Sequence, residues 1–257
     1  MNERSTPSEL LTLVIPCYNE EKRLDPAEFR RLAQAEGVRL LFVNDGSTDG
    51  TEGVLQALCE PLGQRARFQT LAQNSGKAEA VRQGLLSALQ AGAPLVGYLD
   101  ADLSTPVDEI LRLAAILRAR PEVQVLLASR VRLLGNSVDR QPMRHYLGRI
   151  FATAASLVLD IAIYDTQCGA KLFRATQALR VALAEPFGSR WVFDVELLGR
   201  LAAGTPSQPP LAASAFAEVP LQVWHDVAGS KLKAHHMLRA AAELAQIRGR
   251  LAKRQGR

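Results

Sequence analysis

The 257-residue chain is 47% hydrophobic and 22% charged, a composition that excludes disorder over most of its length and allows a sizeable buried core. Its three cysteines, Cys17, Cys59 and Cys168, are odd in number and widely spaced with no C-x-x-C pair, which argues against a disulfide framework or a zinc ribbon and suits a reducing, cytoplasmic compartment. The net charge of +5 gathers at one end: from Lys231 onward eight Lys or Arg stand against Glu243 alone, and the remainder is slightly acidic.

Residues 1–9 read as an N-terminal extension, and MNERSTPSELL lacks the apolar core of a signal peptide. An apolar run (Leu10 to Ile15), a helix-like stretch (Glu20 to Glu36), a run (Val38 to Val43), a helix (Thr51 to Leu62), a short run (Arg67 to Leu71), a helix (Lys77 to Ala91) and the run Leu95 to Leu99 form a β-α-β-α-β-α-β series. A further helix (Val107 to Arg118) and strand (Val123 to Ala128) extend it. The pattern predicts an α/β fold, a mostly parallel sheet with helices on both faces. After residue 130 the alternation lapses. SRVRLLGNSVDRQPMRHYLGR is basic and loop-like, and LGRIFATAASLVLDIAI is an apolar stretch of one helix, too short to span a bilayer and broken by Asp160. It reads as a core helix, with a helix lying in a membrane interface as the alternative. YDTQCGAKLFR and WVFDVELLGRL follow, then a Pro/Ala/Ser-rich loop, a last strand (Glu218 to Trp224) and a basic helical tail.

In such sheets the loops at the carboxyl ends of the strands form the ligand crevice. These loops read PCYNEE, NDGSTDGT, QNSGK and DADLSTP. No G-x-G-x-x-G follows the first strand, and NSGKA fails the Walker pattern at Leu71 and Ala78, so a dinucleotide enzyme and a P-loop ATPase are disfavoured. Asp100 and Asp102 suit Mg²⁺ or Mn²⁺ on a diphosphate, since these hard cations take a few carboxylates plus substrate phosphates. The alternative for Asp102 is capping the helix near Pro106, a role Ser104 or Thr105 also fills. Asp45 is placed to accept from a base or ribose, or else to shape the N-D-G turn. Tyr18 offers a ring face and Glu20 an acceptor for ribose hydroxyls, against the plainer use of starting a helix. Converging, the four loops argue for a nucleotide diphosphate site.

TLVIPCYNEE, FVNDGSTDGT, NSGKAEAVRQG, YLDADLSTP, ASR, DTQCGAKLF, WVFDVELL and VPLQVWHDVAGSK stand in the order seen in GT-A, family 2 glycosyltransferases, and the chain most resembles the branch that makes dolichyl- or polyprenyl-phosphate sugars. The resemblance covers residues 10–233. It implies a nucleotide-sugar half (10–130), an acceptor half (131–233) and a basic C-terminal helix or tail (234–257). It places Pro16, Tyr18 and Glu20 on the nucleotide, Val43 and Asp45 on base and ribose, and Lys77 on the nucleotide-sugar side. Asp100, Ala101 and Asp102 would hold the sugar nucleotide and its Mg²⁺ or Mn²⁺, with Asp102 the direct ligand; Ser104 stands where mannosyltransferases carry a metal-touching Gln. Arg130 matches an arginine near the phosphates, and Lys231 belongs to a loop that closes on the diphosphate. Asp102, Asp194, Lys231 and Arg130 are thus the candidate catalytic residues.

Cations at Lys231, Arg130 and the metal would neutralise the leaving diphosphate in an inverting displacement. Arg130, Arg144 and Arg149 are a candidate cradle for an anionic acceptor, or a solvated surface. Asp165 and Gln167 line the acceptor side or shape a turn. Asp194 is the candidate base for a hydroxyl acceptor, or a buried carboxylate near Arg190. Cys168 has no pairing His motif to make it a nucleophile, and His225, His235 and His236 read as surface or acceptor-loop residues.

The wording of DTQCGAKLF and WHDVAGSK leans by resemblance to glucose, hence UDP-glucose over GDP-mannose. The acceptor is then a polyprenyl phosphate met at the cytoplasmic membrane face, or alternatively a hydroxyl on a soluble molecule. Each basic residue near an anionic leaflet is worth on the order of 1 kcal/mol, so the tail suits peripheral contact; a homodimer contact is its other use, and no nucleic-acid partner is assigned. A nucleotidyltransferase would need a Gly-rich, Arg-containing first loop, which PCYNEE is not.

Overall fold

The computed structural model describes residues 10–138, 142–225 and 234–255, the side chains of 142–147, 149 and 234–241 excepted. The predicted alternation is present: β1 (Leu11–Cys17), α1 (Pro26–Gln34), β2 (Val38–Asn44), α2 (Thr51–Cys59), β3 (Ala66–Thr70), α3 (Lys77–Gln90), β4 (Leu95–Leu99), α4 (Val107–Ala119) and β5 (Val125–Ser129). Helix α1 starts at Pro26, later than the polar stretch suggests, because the Asp25 carboxylate accepts from the amides of Ala27 and Glu28 and a proline suits the first helical position. Residues before it fold into a turn in which Arg23 and Leu24 donate to the Glu20 carbonyl.

The remaining elements are β6 (Ser137–Val138), α5 (Pro142–Leu159), β7 (Ala170–Arg174), α6 (Gln177–Leu183), α7 (Phe193–Ala203), β8 (Phe216–Pro220), β9 (Val223–Trp224) and α8 (Ala234–Arg254). The expected last strand, 218–224, is two: β8 pairs with β5, and β9 pairs with β6 in a small separate sheet. The main sheet runs β3-β2-β1-β4-β7-β5-β8. All its strands are parallel except β7, which inserts antiparallel between β4 and β5 with Tyr98 opposite Lys171.

Each face of the sheet carries its own core. Leu13, Ile15, Phe42 and Leu99 pack with α1, α2 and α4 on one side; Val14, Val43, Tyr98 and Phe173 pack with α3, α6 and α7 on the other. Helix α5 packs on α7 and α8 through Ala155 and Leu159, leaving Ile150 and Leu157 exposed, so it is a core helix with one bare face. Helix α8 buries Leu244, Ile247 and Leu251, side chains worth about 1.5–3 kcal/mol each when fully removed from water. Two of its basic groups are engaged internally: Arg250 faces Glu196, and Arg254 donates to the Val181 carbonyl. Among the described residues no helix is long and apolar enough to cross a membrane.

Candidate active site

The carboxyl ends of β1, β2 and β4 open onto a cavity of about 220 Å³ lined by Pro16, Cys17, Tyr18, Glu20, Arg23, Asp45, Lys77, Ala80, Asp100, Ala101 and Asp102. Pro16, Tyr18, Glu20, Asp45, Lys77, Asp100, Ala101 and Asp102 are therefore brought together as the sequence suggests. Two sequence candidates for the donor side stand apart from the lining. Val43 is a fully buried core residue of β2, and a Cβ on Gly84 of α3 would lie 2.9 Å from its Cγ2. Ser104 is not part of the lining; its amide donates to Asp102 Oδ1 and its carbonyl accepts from His225, which makes it a turn residue.

Asp45 is 2% exposed, and its two oxygens accept from the amides of Ser75 and Gly76 at 2.7 Å each. This carboxylate holds the loop that leads into α3, so its first duty is to place Lys77. Gly46 beside it has φ +64°, and a Cβ there would sit 2.6 Å from the Gln73 carbonyl carbon, so the two loops touch closely enough to require glycine.

Three carboxylates meet two cations at the cavity floor. Lys77 Nζ lies 2.5 Å from Asp100 Oδ1, and Arg23 lies 3.4 Å from both Glu20 and Asp102. Arg23 carries no signal in the loop sequences beyond its spacing of three from Glu20. Burial pushes the Glu20 carboxyl up, Arg23 pulls it down, and Asp102 and Asp100 push it up again, leaving it above the ordinary value. Desolvation works against the Lys77 ammonium, but Asp100, Asp194 and Asp102 outweigh it and raise its pKa. The buried Asp100 Oδ1 and Glu20 Oε2 each face a single cation, Lys77 at 2.5 Å and Arg23 at 3.4 Å. Such an oxygen-only donor set fits a hard divalent cation completed by substrate phosphates, which would take the place of Lys77 and Arg23 on these carboxylates, although the described residues hold no cluster of three or more groups sufficient to bind a metal alone.

Arg130 and Asp165, expected from the sequence on the acceptor side, face each other. The guanidinium donates to both Asp165 oxygens at 2.7 and 2.8 Å, the Arg130 amide adds a third bond at 3.0 Å, and the Trp224 ring lies 5.5 Å from the guanidinium. Burial opposes the Arg130 charge, and Asp165 more than offsets it. Asp194 is 6% exposed and accepts from Lys171 at 2.9 Å and from the Tyr98 hydroxyl, with Gln167 at 3.5 Å. Its partner is Lys171 of β7, not the neighbouring Arg190, which donates to the Ser75 carbonyl. Burial pushes the Cys168 thiol up to about 11, which keeps it protonated at neutral pH. Lys231 lies outside the described residues, as do the side chains of Arg144, Arg149, His235 and His236.

Residues 12–178 match the model of glycosyl transferase family 2. A dolichyl-phosphate beta-glucosyltransferase of Trichomonas vaginalis is 31% identical over 94% of this chain and 72% of its own length. The corresponding mouse protein is 33% identical over 88% and 71%. Among solved structures, glucosyl-3-phosphoglycerate synthase of Mycobacterium tuberculosis, in complex with UDP, superposes with a TM-score of 0.63 at 19% identity over 96% of this chain and 80% of the other. The same enzyme has been solved with Mn²⁺ and UDP bound, at 18% identity. Mannosyl-3-phosphoglycerate synthase of Rubrobacter xylanophilus gives a TM-score of 0.60 at 15% identity, over 96% and 75%. The sheet order, the cavity at its carboxyl edge and these matches agree: the fold is GT-A-like, and the chain belongs to glycosyl transferase family 2.

Proposed function

We propose that this glycosyltransferase moves glucose from UDP-glucose to a polyprenyl or dolichyl phosphate, with inversion at the anomeric carbon, at the cytoplasmic face of a membrane. The observation that carries the reading is the convergence of Glu20, Asp100 and Asp102 on one cavity at the carboxyl ends of parallel strands, with Lys77 and Arg23 among them. The chemistry of the donor and acceptor comes from the dolichyl-phosphate beta-glucosyltransferases to which the chain is similar.

In this reading Tyr18 offers its half-exposed ring to the uracil and Glu20 accepts from ribose. Asp102 and Asp100 would hold Mg²⁺ or Mn²⁺, which supplies positive charge to the departing diphosphate. An acceptor phosphate oxygen attacks the anomeric carbon from the side opposite UDP, the bond from that carbon to the diphosphate oxygen breaks, and the electron pair stays on UDP. Lys77 stands close enough to share the charge that develops there. A phosphate oxygen is already ionised near neutral pH and needs no general base. That accords with Asp194, whose Oδ1 accepts from Lys171 and Tyr98 and which is poorly placed to take a proton.

Labelled UDP-glucose and GDP-mannose, each offered with polyprenyl phosphate with and without Mn²⁺, test the proposal. Metal-dependent glucose transfer to lipid from UDP-glucose is the expected result. Transfer from GDP-mannose alone, or UDP-glucose hydrolysis without lipid product, overturns the donor or the acceptor assignment respectively.

A further inference from the structure

A lysine lies in the middle of the sheet two register steps from Asp100. Tyr98 pairs with Lys171 and Leu99 with Ala170 across β4 and β7, so continuation of the ladder sets Asp100 opposite Gly169. Side chains alternate between faces along a strand, so Tyr98, Asp100, Gly169 and Lys171 share one face. Lys171 is wholly buried. Its ammonium donates to the Cys168 carbonyl at 2.7 Å and to Asp194 Oδ1 at 2.9 Å, with the Tyr98 ring centre 5.4 Å away. A buried ion pair gives little stability that apolar residues of similar volume would not, since such replacements are often neutral or stabilising. The place of this one has to be explained by something else. A Cβ on Gly169 would fall 2.2 Å from Asp100 Oδ2, so the Asp100 carboxylate rests against the residue whose preceding carbonyl Lys171 grips.

We propose that Lys171, anchored by Asp194, is a positioning residue that fixes the Cys168–Gly169 peptide and through it the carboxylate of Asp100 in the donor cavity. The geometric claim stands on the residues themselves; its consequence for binding rests on the donor site proposed above. Groups that orient a ligating carboxylate typically matter 10- to 100-fold in metal affinity or activity.

The test uses Lys171→Met and the double variant Lys171→Met/Asp194→Asn, in which no charge is left buried without a partner. Crystal structures and Mn²⁺ binding in the presence of UDP, followed by electron paramagnetic resonance, are compared with the parent. The double variant is expected to melt near the parent, to show the Cys168–Gly169 peptide and the Asp100 carboxylate displaced, and to bind Mn²⁺ about tenfold more weakly or worse. Gly169→Ala, with Lys171 intact, is expected to displace Asp100 and weaken binding likewise. An unmoved Asp100 in the double variant, or parental Mn²⁺ binding in both Gly169→Ala and the double variant, overturns the proposal. If the parent binds neither Mn²⁺ nor UDP, the donor-site reading falls, while the crystallographic comparison still decides whether Lys171 places Asp100.

Discussion

Asp165 distinguishes an acceptor contact from a structural strut. Its two oxygens take the Arg130 Nε and NH2 groups at 2.7 and 2.8 Å, the Arg130 amide at 3.0 Å and the Gln167 amide at 3.2 Å. Asp165→Asn turns one oxygen into a donor that faces a guanidinium donor, and it removes the counter-charge of a partly desolvated arginine. Breaking a buried pair on one side costs about 3–5 kcal/mol. The Arg130 side chain keeps 16% of its surface, which allows some rehydration and sets the expectation at the lower end, about 3 kcal/mol. For a chain of this size that is a fall in Tm of roughly 6–12 °C. Circular dichroism on heating measures it, alongside turnover well below the transition with varied acceptor. A variant with parental Tm and a raised acceptor KM would refute the strut and restore Asp165 to the acceptor. Glu218 accepts from the amides of Tyr164 and Asp165 at 2.7 Å each, so Glu218→Gln should destabilise in the same sense and by less.

Asp102→Asn removes an anionic ligand from the proposed Mg²⁺ or Mn²⁺, and with it the charge that would offset the departing diphosphate, and should lower turnover roughly 10²- to 10³-fold with little change in Tm, read by the glucosyl-transfer assay. Lys77→Met removes a cation that competes for Asp100; Mn²⁺ binding without nucleotide should tighten while kcat/KM for UDP-glucose falls, and weaker Mn²⁺ binding would contradict the competition. The folded-state pKa of Glu20 is raised by burial, so between the unfolded and folded values the native protein holds more protons and stability falls as pH rises through that window. Glu20→Gln should therefore raise Tm at neutral pH and flatten that part of the stability profile, as measured by thermal melts across pH. Ile247→Ala, in the wholly buried face of α8, should cost about 2–5 kcal/mol in urea unfolding; a cost near zero would make α8 the solvated tail that its charge alone suggests.

The strands and loops of the first 130 residues are legible because each apolar run is short and bounded, and because parallel order follows from strand–helix alternation. The second half hides for specific physical reasons. In β7 the apolar run AKLFR is interrupted by Lys171, whose charge argues against a central strand until Asp194, 23 residues on, is known to face it. Antiparallel insertion between β4 and β5 is a long-range pairing that no local period encodes. Helix α8 reads as a basic tail because its apolar residues, Leu244, Ile247 and Leu251, are a narrow stripe among charges. At the site, the carboxylates are visible as residues while their tasks are not. Asp45 is spent on the amides of Ser75 and Gly76, Asp165 on Arg130 and Asp194 on Lys171; Glu20, Asp100 and Asp102 instead line the cavity together, and the cations that meet them, Lys77 and Arg23, line it too. A carboxylate tied to its own backbone or a buried partner gains little from a ligand, whereas one set beside like charges gains the most from an incoming dication, and that difference selects the three proposed to face the donor.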